Sequence, residues 1–140
     1  LGRLDMWRLA IRPGKPLAFG WIGDTPFMGA PGNPVSLFAT FVLFARPFIL
    51  ASMGVSDPLP QPLRAVADFD WPSPDRRREF HRARIVAGRD GCPSVEVHPS
   101  RSSGVLSSVV WANGLVVIPE GQVIRRGDPV DFLPFAELLG

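Results

Sequence analysis

Apolar and polar residues alternate over Asp5-Met6-Trp7-Arg8-Leu9-Ala10-Ile11-Arg12, the period of a strand, and the pattern stops at the breaker pair Pro13-Gly14. Leu17 to Ile22 predicts a second strand, Gly23-Asp24-Thr25 a turn, and Pro26 to Met28 a third short strand. The spacing then changes. From Val35 to Met53, Phe38, Phe41, Val42, Ala45 and Ile49 recur at helical intervals, which predicts a helix with that face in the core. Pro47 lacks a backbone donor and should kink or split this helix near Leu43 or Phe44, and Gly54 supplies the stop.

From Val55 to Pro74 the texture is that of a linker, punctuated by Pro58, Pro60, Pro62, Pro72 and Pro74. Within and beyond it, period two returns. Leu63, Ala65, Ala67 and Phe69 predict a strand with one buried face, Arg76 to Val86 a longer strand, and Ser94 to His98 a third with Val95 and Val97 on a shared face. Gly88 to Gly91 reads as the turn between the last two. Val105, Leu106, Val109 and Val110 fit a short helix as well as a strand. Leu115 to Ile118 is a wholly apolar strand after the Asn113-Gly114 turn, and Gly121 and the turn Arg126 to Pro129 flank a last pair of strands, the second Val130 to Phe135. The pattern predicts an α/β part followed by a small all-β barrel. At about 80 residues such a barrel buries only about 60% of its unfolded surface, so it should lean on neighbours.

The segment Gly29-Ala30-Pro31-Gly32-Asn33-Pro34-Val35-Ser36 joins sheet to helix and is the strongest chemical signal. Asn33 is a favoured N-cap, Pro34 suits the first helical position, and Gly32 permits a tight turn or close approach of a ligand. A helix start presents unpaired N–H groups and partial positive charge, and anions bind well there. Arg12 and Lys15, in the loop after the first strand, can converge on the same group or simply be solvated.

Composition narrows the classes. Hydrophobic residues are 46% of the 140, which argues for globular order. The single Cys92 excludes an internal disulfide and a cysteine-based metal site, so the cytoplasm is the default location. Net charge is only +2, carried by 14 Arg and one Lys, and Arg76 to Arg84 lacks an interleaved set of aromatic stackers, so nucleic acid is not an expected partner. No secretory leader is visible, and the uncharged stretch before Arg46 holds only about a dozen strongly apolar residues against the roughly 20 of a membrane span, so no membrane is expected. The start at Leu1, in mid-strand, suggests a piece of a longer protein.

Two blocks go further: Arg12-Pro13-Gly14-Lys15-Pro16-Leu17-Ala18-Phe19-Gly20 leading to Gly29 to Ser36, and Glu79-Phe80-His81-Arg82-Ala83 leading to Ser102-Ser103-Gly104-Val105-Leu106-Ser107-Ser108 with Ala112-Asn113-Gly114-Leu115. Together they resemble the C-terminal part of molybdopterin molybdenumtransferase, the family that includes the E domain of gephyrin. The resemblance implies that residues 1–57 are the tail of the molybdopterin-binding α/β domain with its linker, and 58–140 the C-terminal β-barrel domain. It implies insertion of molybdate into adenylylated molybdopterin with release of AMP, a divalent metal, usually Mg2+, held by residues outside this chain, and a homodimer. A chain of this extent should be inactive alone.

By the same resemblance, Lys15 and Ser36 form the pterin-domain side of a molybdate pocket and Arg82 and Ser103 the barrel side. Arg12 stands where many relatives carry Lys. Gly14, Pro16, Pro31, Gly32, Asn33 and Pro34 shape the cofactor-binding turn, and none of these residues is a metal ligand. The chemistry is consistent, because a dianionic oxyanion needs a planar fork, a point charge and hydroxyl donors. The rival reading is a non-catalytic interaction module of the gephyrin type. Nothing in the residues separates molybdate from tungstate.

Overall fold

The computed structural model of the chain describes residues 2–14 and 16–140. Its first part is an antiparallel three-stranded sheet in the order β1 (Gly2–Arg8), β3 (Pro16–Ile22), β4 (Thr25–Gly29). The predicted strand over 5–12 is broken at Leu9 and Ala10. Its last two residues, β2 (Ile11–Arg12), leave this sheet and pair in parallel with a barrel strand. β1 is an edge strand whose pairing with β3 shifts register twice, and most of it is exposed, so its alternation marks no core face.

The predicted helix is present as one continuous run: α1 (Pro34–Thr40), a π-helical segment Phe41–Ala45, and α2 (Arg46–Ser52). The break expected upstream of Pro47 takes the form of that wider turn, in which Arg46 N–H reaches back to the Phe41 carbonyl. A π turn relieves the clash that a proline ring makes with the carbonyl four residues earlier, so the axis continues past it. The buried face is not the expected one: Val42 is buried, but Phe41 and Ile49 of the predicted core stripe are exposed with Leu37 and Met53, and Val35 and Ala39 are buried instead. By length and composition alone this 19-residue run is apolar enough to cross a membrane, and part of it is buried against the barrel.

The second part is the expected barrel. β5 (Leu63–Ala67), β6 (Arg78–Val86), β7 (Ser94–Val97), β8 (Gly114–Ile118) and β9 (Pro129–Pro134) follow the spatial order β6-β7-β5-β9-β8, closed by pairing of β8 with β6. Its interior is the period-two set of the sequence: Ala65, Ala67, Ala83, Val95, Val116, Ile118, Val130 and Phe132, capped by Phe69, Trp71 and Ile124. Leu63 falls outside this set and is exposed. Gly114 lies against the Phe132 ring and the Leu133 carbonyl, where a side chain would collide.

Three local expectations change. The ambiguous stretch is α3 (Ser107–Trp111), and the first of the predicted last pair of strands reduces to a single bridge between Ile124 and Trp71. The chain also ends in an unforeseen helix, α4 (Phe135–Leu139), which buries Leu138. Val42 of the long helix meets Leu115, Leu133 and Leu138 in a second apolar cluster on the outside of the barrel, and Phe38 packs edge-on to Phe135. That cluster and the β2–β6 pairing hold the first part against the barrel.

Candidate functional site

β2 places Arg12 beside Glu79 of β6, and the chain then turns through Pro13 and Gly14 at the barrel's end. Gly14 has φ +113, a conformation other residues rarely adopt, and a Cβ there would lie 3.0 Å from Thr40 Oγ1. Across from this loop the polar segment 100–104 descends from β7. The helix start closes a third side, tied to the loop by Val35 N–H donating to the Ser103 carbonyl at 3.3 Å. Between them is a cavity of about 360 Å³ lined by Arg12, Gly14, Pro16, Ser36, Arg82 and Ser103 among others.

Six of the residues singled out in the sequence therefore share one cavity. Lys15 lies outside the described residues. Pro31, Gly32, Asn33 and Pro34 do not line it. Asn33 sits at the N-cap position but makes no side-chain cap, and its Oδ1 is buried without a partner. Of the two backbone donors that such a cap can bind, the Val35 N–H is taken by the Ser103 carbonyl and the Ser36 N–H makes no bond to Asn33. Gly32 does not have a positive φ, and a Cβ there would meet open space, so the turn itself does not demand glycine.

Arg82 is not a solvated strand cation. At 2% exposure it is the largest fully buried side chain, because α3 and the 100–104 loop fold over it. Its Nε donates to Ser108 Oγ at 2.9 Å, and Nη2 donates to the carbonyls of Ser100 at 2.8 Å and Ser102 at 2.9 Å. Both hydrogens of Nη2 are thus committed, leaving Nη1 as the group without a partner among the described residues. No carboxylate among them pairs with it, and burial lowers its pKa. Ser36 is 7% exposed, and its hydroxyl has no partner among the described residues.

Sequence reasoning gave no role to four further lining residues, Arg77, Glu79, His81 and Arg101. Glu79 is a buried carboxylate that accepts from Trp71 Nε1 at 2.9 Å and Arg101 Nη2 at 3.1 Å, with Arg12 Nη1 at 3.8 Å. Asp75 accepts from the Arg77 backbone N–H, Nε and Nη2 and, at 3.5 Å, from Arg12 Nη1, and these bonds hold its carboxyl well below the usual range. Burial pushes His81 down to about 4, so it is neutral at pH 7, with Nε2 2.9 Å from the His98 carbonyl. One signal was legible: Glu79, His81 and Ala83 alternate with Arg82, which puts a carboxylate and an imidazole on the face that Ala83 directs into the barrel.

Four guanidiniums, those of Arg12, Arg77, Arg82 and Arg101, face two carboxylates, Asp75 and Glu79, so among the described residues the wall keeps an excess of positive charge. A cleft with that excess and unpaired hydroxyls suits an anion. Residues 64–135 match the family model described as "MoeA C-terminal region (domain IV)". The chain belongs to the MoeA family.

This MoeA-family chain is 31% identical over 142 aligned residues to a molybdopterin molybdenumtransferase of Haemophilus influenzae, covering all of itself and 35% of that protein. It is 36% identical to the molybdenum cofactor synthesis protein cinnamon of Drosophila melanogaster, over 84% of the chain and 20% of the fly protein. Among solved structures it is similar to the molybdopterin biosynthesis MoeA protein of Pyrococcus horikoshii, with TM-score 0.70, 30% identity and coverage of 94% of this chain and 32% of that one. A molybdenum cofactor biosynthesis protein of Pyrococcus furiosus gives TM-score 0.73 at 32% identity, over 94% and 45%. The chain spans about a third of the length of the bacterial relative.

Proposed function

We propose that these residues form the C-terminal part of a molybdopterin molybdenumtransferase, and that the cavity between helix start and barrel receives molybdate. In the whole protein the oxyanion is inserted into adenylylated molybdopterin with release of AMP. The observation that carries the reading is the buried Arg82 guanidinium, bonded only to neutral oxygens on the wall of a cavity that opens to solvent. A buried cation without a counter-ion is costly, and an anion in the cavity offsets that cost. Ser36 and Ser103 supply hydroxyl donors. At about 30 Å³ per water the cavity has room for the oxyanion together with one end of a larger substrate. The chemistry this chain contributes is placement: it holds the oxyanion still against the incoming sulfur ligands of the pterin.

Charge placement favours this reading over an interaction module, which has no use for an uncompensated guanidinium inside a cavity. The described residues do not fit a divalent ion. No three His, Cys, Asp or Glu side chains among them cluster, and Asp75 and Glu79 already carry arginines, so a Mg2+ ion would be held by residues outside this chain. The exposed apolar stripe Leu37, Phe41, Ile49 and Met53 supports the further proposal that residues 1–57 are the tail of a larger α/β domain that covers it. A homodimer in the cytoplasm completes the proposal.

The test is substitution in a full-length protein carrying these residues. Hydrogen bonds to a charged group contribute about 1.5–3 kcal/mol, so Ser36→Ala and Ser103→Ala should each raise the molybdate concentration giving half-maximal cofactor formation by roughly tenfold or more. Unchanged molybdate dependence in both would remove the cavity from the reaction.

A further inference from the structure

We infer that Arg101 is a direct anion-binding residue of this cavity, presented by a loop that the buried Arg82 pins in place. The inference rests on the reading that the cavity takes molybdate, and it deepens that reading by naming which guanidinium reaches the ligand. The four lining arginines are not equivalent. Arg77 spends Nε and Nη2 on Asp75. Arg12 points Nη1 between Asp75 and Glu79. Arg82 has committed Nε and all of Nη2. Arg101 makes a single hydrogen bond to the described residues, from Nη2 to Glu79 at 3.1 Å, and its side chain remains 39% exposed.

The geometry around Arg101 is that of a fixed fork. Its guanidinium carbon sits 4.1 Å from the centre of the Trp71 ring, which sets the plane, while Glu79 takes one nitrogen and so sets the rotation within that plane. Trp71 is itself held, because its Nε1 donates to the other oxygen of Glu79. The backbone is fixed too: the carbonyls of Ser100 and Ser102, on either side of Arg101, both accept from Arg82 Nη2. Glu79 takes one of the two hydrogens of Nη2, so what remains is one forked edge, the second hydrogen of Nη2 beside either Nε or Nη1, without partners among the described residues, on the same segment that brings Ser102 and Ser103 to the cavity wall. A planar guanidinium with two open donors and a held plane is suited to bind two oxygens of a tetrahedral oxyanion side by side.

The experiment is calorimetric titration of the full-length protein with molybdate, and separately with tungstate, using wild type, Arg101→Gln, Arg101→Lys and Ser36→Ala, with melting temperatures measured alongside. Arg101→Gln should weaken binding tenfold or more, beyond what a melting-temperature drop of a few degrees from its lost pair with Glu79 accounts for, and Arg101→Lys should recover part of the loss of affinity. In turnover the KM for molybdate should rise while kcat stays within about twofold. Wild-type affinity in Arg101→Gln together with weakened binding in Ser36→Ala would overturn the role of Arg101 and leave the cavity reading standing. A wild-type protein that binds neither oxyanion would overturn both. Parallel loss of melting temperature and affinity in both Arg101 variants would also overturn the inference, by assigning the side chain to loop support alone.

Discussion

His81 lies 4.9 Å from the Trp71 ring and is 5% exposed, so its charged form is disfavoured first by burial and then by the guanidiniums of Arg82 and Arg101. Its pKa falls from 6.5 to about 4 on folding. Between those values the unfolded chain binds a proton that the folded one does not, so stability is complete above about pH 6.5 and declines as pH drops towards about 4. The loss sums to about 3 kcal/mol at most, by the linkage of about 1.4 kcal/mol per pH unit. Chemical denaturation midpoints across pH 7.5 to 4.5 should show this slope in the wild type and a flatter one in His81→Gln, which keeps an N–H for the His98 carbonyl. Asp75 acts in a lower window: its folded pKa is depressed, so its contribution is present above the ordinary carboxylate pKa and lost as pH falls below it. Arg82→Ala is a different kind of change. It strips the carbonyls of Ser100 and Ser102 and the Ser108 hydroxyl of their donor and opens a cavity, at a cost of about 3 kcal/mol or more, visible as a large drop in melting temperature. For that reason Ser36→Ala separates binding from folding where Arg82→Ala does not.

At the scale of elements, the barrel strands were legible because period two is enforced by a closed core: every second residue of β5 to β9 has nowhere to go but inward. The long helix was legible as a helix from its apolar spacing, but its buried face was not: Phe41 and Ile49 of the expected stripe are exposed and Val35 and Ala39 are buried, because the barrel and α4 choose the face. Features set by partners distant in sequence were not. β2 reads as the end of β1, and only its pairing with Arg78 and Glu79 reassigns it. α4 and the Ile124 bridge depend on contacts with Leu115, Leu133 and Trp71 that no local pattern encodes. The site divides likewise: Arg12, Ser36, Arg82 and Ser103 were named from motifs, while Glu79 and Arg101 matter through Trp71, a residue from another segment. Gly14 offers an element-level check. With φ at +113 and Thr40 Oγ1 3.0 Å from where a Cβ would stand, Gly14→Ala should destabilise by about 1–3 kcal/mol, measured by denaturant unfolding, and lower oxyanion affinity with it.

At the scale of the molecule, the helix and the barrel share the cluster of Val42, Leu115, Leu133 and Leu138, and β2 shares hydrogen bonds with β6. Cores joined in this way unfold together. Val42→Ala on the helix and Phe132→Ala inside the barrel should therefore lower one common calorimetric transition, the second by about 3–5 kcal/mol. Two transitions with only one displaced by each variant would show the parts to be independent.

The pairing of Ile11 and Arg12 with Arg78 and Glu79 also decides which side chains travel as a body. Arg12 precedes the linker in the chain, yet mechanically it rides with the barrel, in company with Glu79, Arg82 and Arg101. Ser36 rides with the helix. Any shift of the helix on the barrel would leave the arginine ion pairs intact but would stretch the bond from Val35 N–H to the Ser103 carbonyl and change the gap from Ser36 to the guanidiniums. The hydroxyl and the cations of the cavity thus belong to different walls, and among the described residues a single backbone bond, Val35 to Ser103, spans the seam between them at the mouth.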